Sequence, residues 1–261
     1  MSLLLENYQE VIMSLGEQAI RQGLRCVVVG ASGGIGQALI DQLLSDVEVS
    51  HVYGLSRSLY VPNTREPDKY SHLPVDYSDE ATIKAAADQL PAAIDRVIVA
   101  TGFLHSDTLR PEKTFKQLGA DNITQNMLVN VIGPTLIAKH FLPKMRKSNH
   151  AVFAALSARV GSIGDNQLGG WYSYRASKAA LNMMIKTFSV ELARAQPQTT
   201  IIGLHPGTVD TQLSLPFQRN VPAGKLFTRE YSAARLLDVI NNVSADDSGY
   251  CFAWDGQRIS E

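Results

Sequence analysis

Arg25-Cys26-Val27-Val28-Val29, followed at once by Gly30-Ala31-Ser32-Gly33-Gly34-Ile35-Gly36, decides the architecture. The first five residues are short, apolar and β-branched, the signature of a strand buried on both faces of a parallel sheet. Glycines then allow a tight turn and a close backbone approach. A helix expected from Gly34 to about Leu44 would aim its free N–H groups and the positive end of its dipole at whatever sits on the loop. Gly30, Gly34 and Gly36 give a G-x-x-x-G-x-G spacing, distinct from the commoner G-x-G-x-x-G. Phosphate binding fits this strand–loop–helix context, although a glycine-rich turn alone would read the same way.

Outward from that loop the pattern repeats. Strands are expected at Val52–Leu55, Leu73–Val75, Arg96–Ala100, Ala151–Ala155, Thr200–Leu204 and Tyr250–Trp254. Helices are expected at Glu80–Gln89, Thr124–Lys147, Tyr174–Arg194 and Arg229–Asn242. Strands alternating with helices predict an α/β fold, a doubly wound parallel sheet of the Rossmann type with helices on both faces. The organisation expected is a helical extension over 1–22 and one catalytic domain over 23–261. Within the latter, the Pro-bearing stretch at about 208–228 is expected to form a lid. Leu4, Leu5, Tyr8, Val11, Ile12 and Leu15 give the extension its helical spacing.

Composition removes several functional classes. The chain of 261 residues is 45% hydrophobic, enough for one large core. With 24 basic and 25 acidic residues it has no charge excess that would suit nucleic acid or an anionic membrane. Cys26 and Cys251 are its only cysteines, which fits a reducing cytoplasm better than a disulfide framework and provides no metal site. No signal peptide is read at the start, and no stretch approaches the ~20 apolar residues of a membrane helix.

The second strand ends at Ser56-Arg57 with no carboxylate. A carboxylate there would suit the ribose 2′-hydroxyl of NAD, whereas the planar fork of Arg57 suits the 2′-phosphate of NADP. NADP(H) is therefore the expected cofactor, with NAD(H) possible and a merely solvated arginine as the alternative. Asp76, after the third strand, is placed to meet an adenine or to cap the helix near Asp79.

Tyr174 and Lys178 stand four residues apart at a helix start and share one face. A free phenol has a pKa of about 10, and a nearby ammonium together with the positive nicotinamide ring is expected to lower it. Ser157 ends a strand at the carboxyl edge of the sheet, where ligands bind in open α/β folds; there it could donate to a carbonyl as charge develops. Asn130 precedes Pro134 by four residues, so its carbonyl loses a helical partner. A kink is expected there, with a water on the freed carbonyl linking Lys178 to solvent. Each motif alone also has a structural reading: an exposed lysine, a strand-ending serine, a proline kink.

Together these residues resemble the short-chain dehydrogenase/reductase family. The resemblance runs from about residue 24 to the C-terminus, through Gly30/Gly34/Gly36, Asn130-Val131-Ile132-Gly133, Ser157, Tyr174/Lys178 and His205-Pro206-Gly207-Thr208. The resemblance implies an oxidoreductase moving a hydride between NADP(H) and a carbonyl/alcohol pair. It assigns general acid/base work to Tyr174, ribose binding to Lys178, carbonyl orientation to Ser157 and relay support to Asn130. It adds Ser32, Gly33, Ile35, Ala100, Thr101, Gly102, Pro206, Gly207, Thr208 and Thr211 to the cofactor-binding set. A homodimer or homotetramer paired through the two long helices is implied. The apolar lid and the absence of a distinctive basic or acidic pocket signal favour an uncharged small-molecule carbonyl substrate. The chain departs from the family at Val99-Ala100-Thr101-Gly102, where Asn-Asn-Ala-Gly is usual. It also departs in the spacing of Ser157 and Tyr174, 17 positions (174 − 157) apart. The residues between them resemble the C-factor-like branch, which includes a bacterial signalling protein. A competing class therefore stands beside the enzyme: a dinucleotide-binding regulator with little turnover.

Overall fold

The computed structural model describes residues 23–147 and 150–260. The expected helical extension over 1–22 lies outside them. Seven strands form one parallel sheet: β1 (Leu24–Val29), β2 (Val49–Ser56), β3 (Tyr70–Pro74), β4 (Arg96–Val99), β5 (Ala151–Leu156), β6 (Thr199–His205) and β9 (Cys251–Ala253). Their spatial order is β3-β2-β1-β4-β5-β6-β9, so the winding reverses between β1 and β4. That reversal opens the crevice in which doubly wound folds bind ligands.

The sheet is apolar on both faces because helices cover both. On β1, Val27 and Val29 enter one core with Phe153, Ile137, Leu181 and Ile185. Cys26 and Val28 enter the other, with Leu39, Leu236 and Ile240. The first core lies beneath α2 (Glu80–Gln89), α4 (Gly133–Phe141) and α5 (Tyr172–Ala195); the second lies beneath α1 (Gly34–Ser45) and α6 (Arg229–Asn242). No helix among the described residues is long and apolar enough to cross a membrane.

One expectation needs correction. The single helix expected over Thr124–Lys147 is instead α3 (Ala120–Met127), a widened turn at Leu128–Ile132, and then α4. The N–H of Gly133 donates to the Leu128 carbonyl, five residues back. One extra residue in the turn thus accommodates Pro134, which has no N–H to donate. The stretch at 208–228, expected as a lid, has local structure of its own. It holds two-residue strands β7 (Thr208–Val209) and β8 (Leu226–Phe227), paired in parallel, with a 3-10 turn at Leu215–Asn220.

Candidate active site

The glycine loop lies at the carboxyl end of β1. Gly30 has φ +90°, and its N–H donates to the Leu55 carbonyl at 2.7 Å. A Cβ on Gly36 would lie 2.1 Å from the Gly30 carbonyl oxygen, so only glycine lets α1 start this close to the strand. No side chain caps α1 at Gly33. The first-turn N–H groups of Gly34, Ile35 and Gly36 are therefore left for an external anion, which fits a diphosphate.

Arg57 is exposed beyond the end of β2 and shares a small cavity of about 290 Å³ with Val75, Asp76 and Thr82. Asp76 does not cap α2; Asp79 does, accepting from the Ala81 N–H at 3.0 Å. The Asp76 carboxylate instead takes the backbone N–H and the hydroxyl of Ser78. These bonds, with a smaller contribution from the Arg57 charge, hold its pKa below the usual range. Thr101, in the stretch that departs from the family, exchanges a 3.0 Å hydrogen bond with the Tyr77 hydroxyl. The helix wall beside this tyrosine requires Gly133, because a Cβ there would fall 1.9 Å from the Tyr77 ring.

Ser157 and Tyr174 line one large cavity of about 1390 Å³, together with Ile35 from the glycine loop and Pro206, Gly207 and Thr208. Lys178 is buried behind them. Its Nζ donates to the Leu156 carbonyl at 2.7 Å and lies 5.8 Å from the centre of the Tyr174 ring. Gly102 connects the set: a Cβ on it would lie 3.9 Å from Asn130 Oδ1 and 4.0 Å from Lys178 Nζ. Asn130 is fully buried, and its side chain makes the contacts. Oδ1 accepts from the Phe103 N–H at 2.8 Å, and Nδ2 donates to the Phe103 carbonyl at 2.9 Å and to Ser177 Oγ at 3.0 Å.

The electrostatics differ from the sequence expectation. Burial raises the Tyr174 phenol to about 12, whereas an ammonium beside it was expected to lower it. Burial also brings Lys178 down from 10.5 to about 7. The lysine lies over the Tyr174 ring, and near neutrality its charge is only partly present. Desolvation is the leading cause at both groups. His205 also lines the cavity; burial takes it to about 4, so it is a neutral wall. His105 is not among the lining residues and instead packs 5.6 Å from Phe217.

Two positioning residues escaped the sequence reading. Asn182 accepts the Ser157 hydroxyl at 2.6 Å and the Cys251 thiol at 3.2 Å. Glu112 is a buried carboxylate at 2% exposure, with no cation within ion-pair distance among the described residues. It accepts from the Ser173 N–H at 3.2 Å, from the Ser173 hydroxyl and from Asn122 Nδ2 at 2.7 Å. Its own carbonyl accepts the Trp171 N–H. Glu112 therefore stands in for the missing N-cap of α5, whose preceding residues Gly169, Gly170 and Trp171 all have positive φ. Asn122, Asn126 and Asn130 continue the chain of hydrogen bonds to Ser177.

The chain resembles known proteins in sequence and in fold. The family profile "short chain dehydrogenase" matches residues 25–221. A Rhodococcus protein named 1-hydroxy-2-glutathionyl-2-methyl-3-butene dehydrogenase is 30% identical over 85% of this chain and 93% of its own length. The C-signal of Myxococcus xanthus is 32% identical over 53% of this chain and 78% of its own. Among solved structures, the NADPH-bound carbonyl reductase from chicken fatty liver superposes with a TM-score of 0.77 at 25% identity. That match covers 92% of this chain and all of the other.

Proposed function

This chain belongs to the short chain dehydrogenase family and is an oxidoreductase, and we propose that it is an NADP(H)-dependent carbonyl reductase in which Tyr174 gives the proton. One observation carries the proposal. Ser157 and Tyr174 line the same cavity as Ile35, Pro206, Gly207 and Thr208, with Lys178 buried directly behind. The glycine loop and the start of α1 would hold the cofactor diphosphate, and Arg57 the 2′-phosphate. Ala100, Thr101 and Gly102 would flank the ring end with Thr208 and Thr211. When bound, the nicotinamide supplies the hydride.

The rest is work for side chains. A phenol held at about 12 is protonated at neutral pH, the form needed to protonate a developing alkoxide. For Ser157 to donate to the carbonyl, its hydroxyl must turn from Asn182; while it donates to Asn182, its lone pairs are free to accept. Lys178 anchors the ribose and, once charged, draws the tyrosine pKa down. Asn130 keeps α3–α4 against α5 beside that lysine. Exposed Ile132, Met183 and Val190 on the long helices support pairing of like subunits through those faces.

The test is oxidation of NADPH and NADH over a panel of aldehydes, ketones and quinones, beside Tyr174→Phe. Turnover with NADPH that falls by at least ~100-fold in the variant is expected, since positioned acids contribute about that much or more. Equal rates for the two proteins would remove Tyr174 from the mechanism. The C-signal relative motivates the second reading, a dinucleotide-binding regulator. Tight NADPH binding without turnover of any carbonyl, together with partner binding sensitive to Arg57→Ala, would favour it.

A further inference from the structure

Cations line the large cavity out of proportion to the chain. Lys113, Arg159, Arg175, Arg219 and Lys225 face a single carboxylate there, Asp165. The whole sequence has 24 basic and 25 acidic residues. Two of the five have partners. Arg175 donates to the carbonyls of Gly169, Gly170 and Val160, and Arg159 lies 3.9 Å from Asp165. Lys113, Arg219 and Lys225 have no side-chain hydrogen bond or ion pair among the described residues.

These three come from two separate segments that both reach Trp171. Lys113 follows Glu112, whose carbonyl accepts the Trp171 N–H. The Trp171 ring lies 5.0 Å from Phe217, two residues before Arg219. Lys225 directly precedes β8, on the same stretch as Arg219. The cavity thus combines an aromatic wall with three uncompensated positive charges. Like charges focused in a concave site raise the local concentration of an oppositely charged ligand.

We propose that the substrate is an anionic carbonyl compound, with an apolar or aromatic body and a carboxylate or phosphate remote from the reacting carbon. This replaces the uncharged substrate expected from sequence, and it rests on reading the cavity as the substrate site. Arg57 lies in the other, smaller cavity, so the three cations are not needed for a 2′-phosphate.

Matched substrates test it with NADPH at low and moderate salt. They are 4-carboxybenzaldehyde, 4-formylphenyl phosphate and the neutral methyl 4-formylbenzoate, assayed with the wild type and with Lys113→Gln/Arg219→Gln/Lys225→Gln. Either anion should exceed the neutral ester in kcat/KM by ~10-fold, by an advantage that shrinks with salt and is largely lost in the triple variant. The better of the two anions identifies the group. A ratio of one or less, or a ratio unchanged in the variant, overturns the inference and leaves the reductase standing. So does a variant whose only change is a raised KM for NADPH, because the cations would then serve the cofactor. If no aldehyde is turned over, the reductase reading fails by itself. Calorimetric titration with 4-carboxybenzyl alcohol and benzyl alcohol then decides the anion site. Preferential binding of the acid, lost in the triple variant, upholds it; equal or undetectable binding of both refutes it.

Discussion

Replacing Glu112 with alanine removes the acceptor of three buried donors at once. The Ser173 N–H, the Ser173 hydroxyl and the Asn122 amide all converge on this carboxylate. The carboxylate also faces the positive end of α5, which has no side-chain cap of its own at Trp171. A charge-assisted hydrogen bond contributes about 1.5–3 kcal/mol, and a partly buried anion at a helix start up to ~2 kcal/mol. These contributions overlap, and a rotated Ser173 hydroxyl or an entering water recovers part of the loss. The expected destabilisation is about 3–5 kcal/mol for Glu112→Ala. At about 2–4 °C per kcal/mol for a chain of this size, melting should fall by roughly 10 °C.

Glu112→Gln separates charge from shape. The amide keeps the volume and one acceptor, but its NH₂ must face one of three donors, at a cost of about 1–3 kcal/mol. Ser173 immediately precedes Tyr174, so the first turn of α5 should loosen at the proposed proton donor itself. The readout is a split in kinetics: kcat for NADPH-dependent reduction should fall by ~10-fold or more, while the KM for NADPH changes little. A double-mutant cycle with Ser173→Ala, followed by urea denaturation, measures the link directly. Contacting partners of this kind couple by about 0.5–3 kcal/mol. Coupling under ~0.3 kcal/mol, or a Glu112→Ala protein as stable and active as the wild type, would refute the capping argument.

Arg57→Ala should weaken NADPH by about 10- to 100-fold in fluorescence titrations and leave NADH nearly unchanged, because one exposed guanidinium–phosphate pair is lost; equal losses for both cofactors would remove Arg57 from the 2′-phosphate site. Gly133→Ala places a Cβ 1.9 Å from Tyr77 and should push that ring off Thr101. A loss of about 1–3 kcal/mol in chemical denaturation is expected, and an unperturbed variant would mean the helix shifts at no cost. Lys178 binds its proton with a pKa of about 7 folded, against 10.5 as the ordinary value. Between those values the unfolded chain holds more protons, so the wild type should gain stability relative to Lys178→Met as pH rises, by up to ~1.4 kcal/mol per pH unit. Urea titrations at pH 7, 8 and 9 check the sign, and a difference that is flat or falling with pH refutes it.

The alternation of apolar runs with amphipathic segments made the sheet and its helices legible, because parallel strands must be buried on both faces. Glu80–Gln89 and Arg229–Asn242 occur over the expected residues. What the sequence hid was pairing at a distance. In Pro111-Glu112-Lys113 the glutamate reads as one more solvated charge, yet it caps a helix 61 residues away. Asn182 looks like a polar residue in mid-helix until Ser157, 25 residues earlier, is seen to donate to it. β7 and β8 have two residues each, too few to show any period. The sign of the tyrosine shift was also out of reach, because it depends on how deeply both partners are buried and not on their spacing.

Helix α5 explains how the unusually long Ser157–Tyr174 segment can be accommodated. Tyr174, Lys178 and Asn182 recur every four residues and so share one face. Each is fixed by something other than the connecting loop. Lys178 holds the Leu156 carbonyl at the end of β5, and Asn182 holds the hydroxyl of the next residue, Ser157. Gly161 brings the intervening chain so close that a Cβ would lie 2.9 Å from the Lys178 backbone. Glu112 fixes the helix start from a third segment. The loop between these anchors leaves Ile163 80% and Leu168 91% exposed, and Lys178 and Asn182 are held from outside it. Asp165 and Leu168 in that loop also line the large cavity. The long segment therefore contributes to the cavity wall, while α5 and the sheet edge hold the residues at its base.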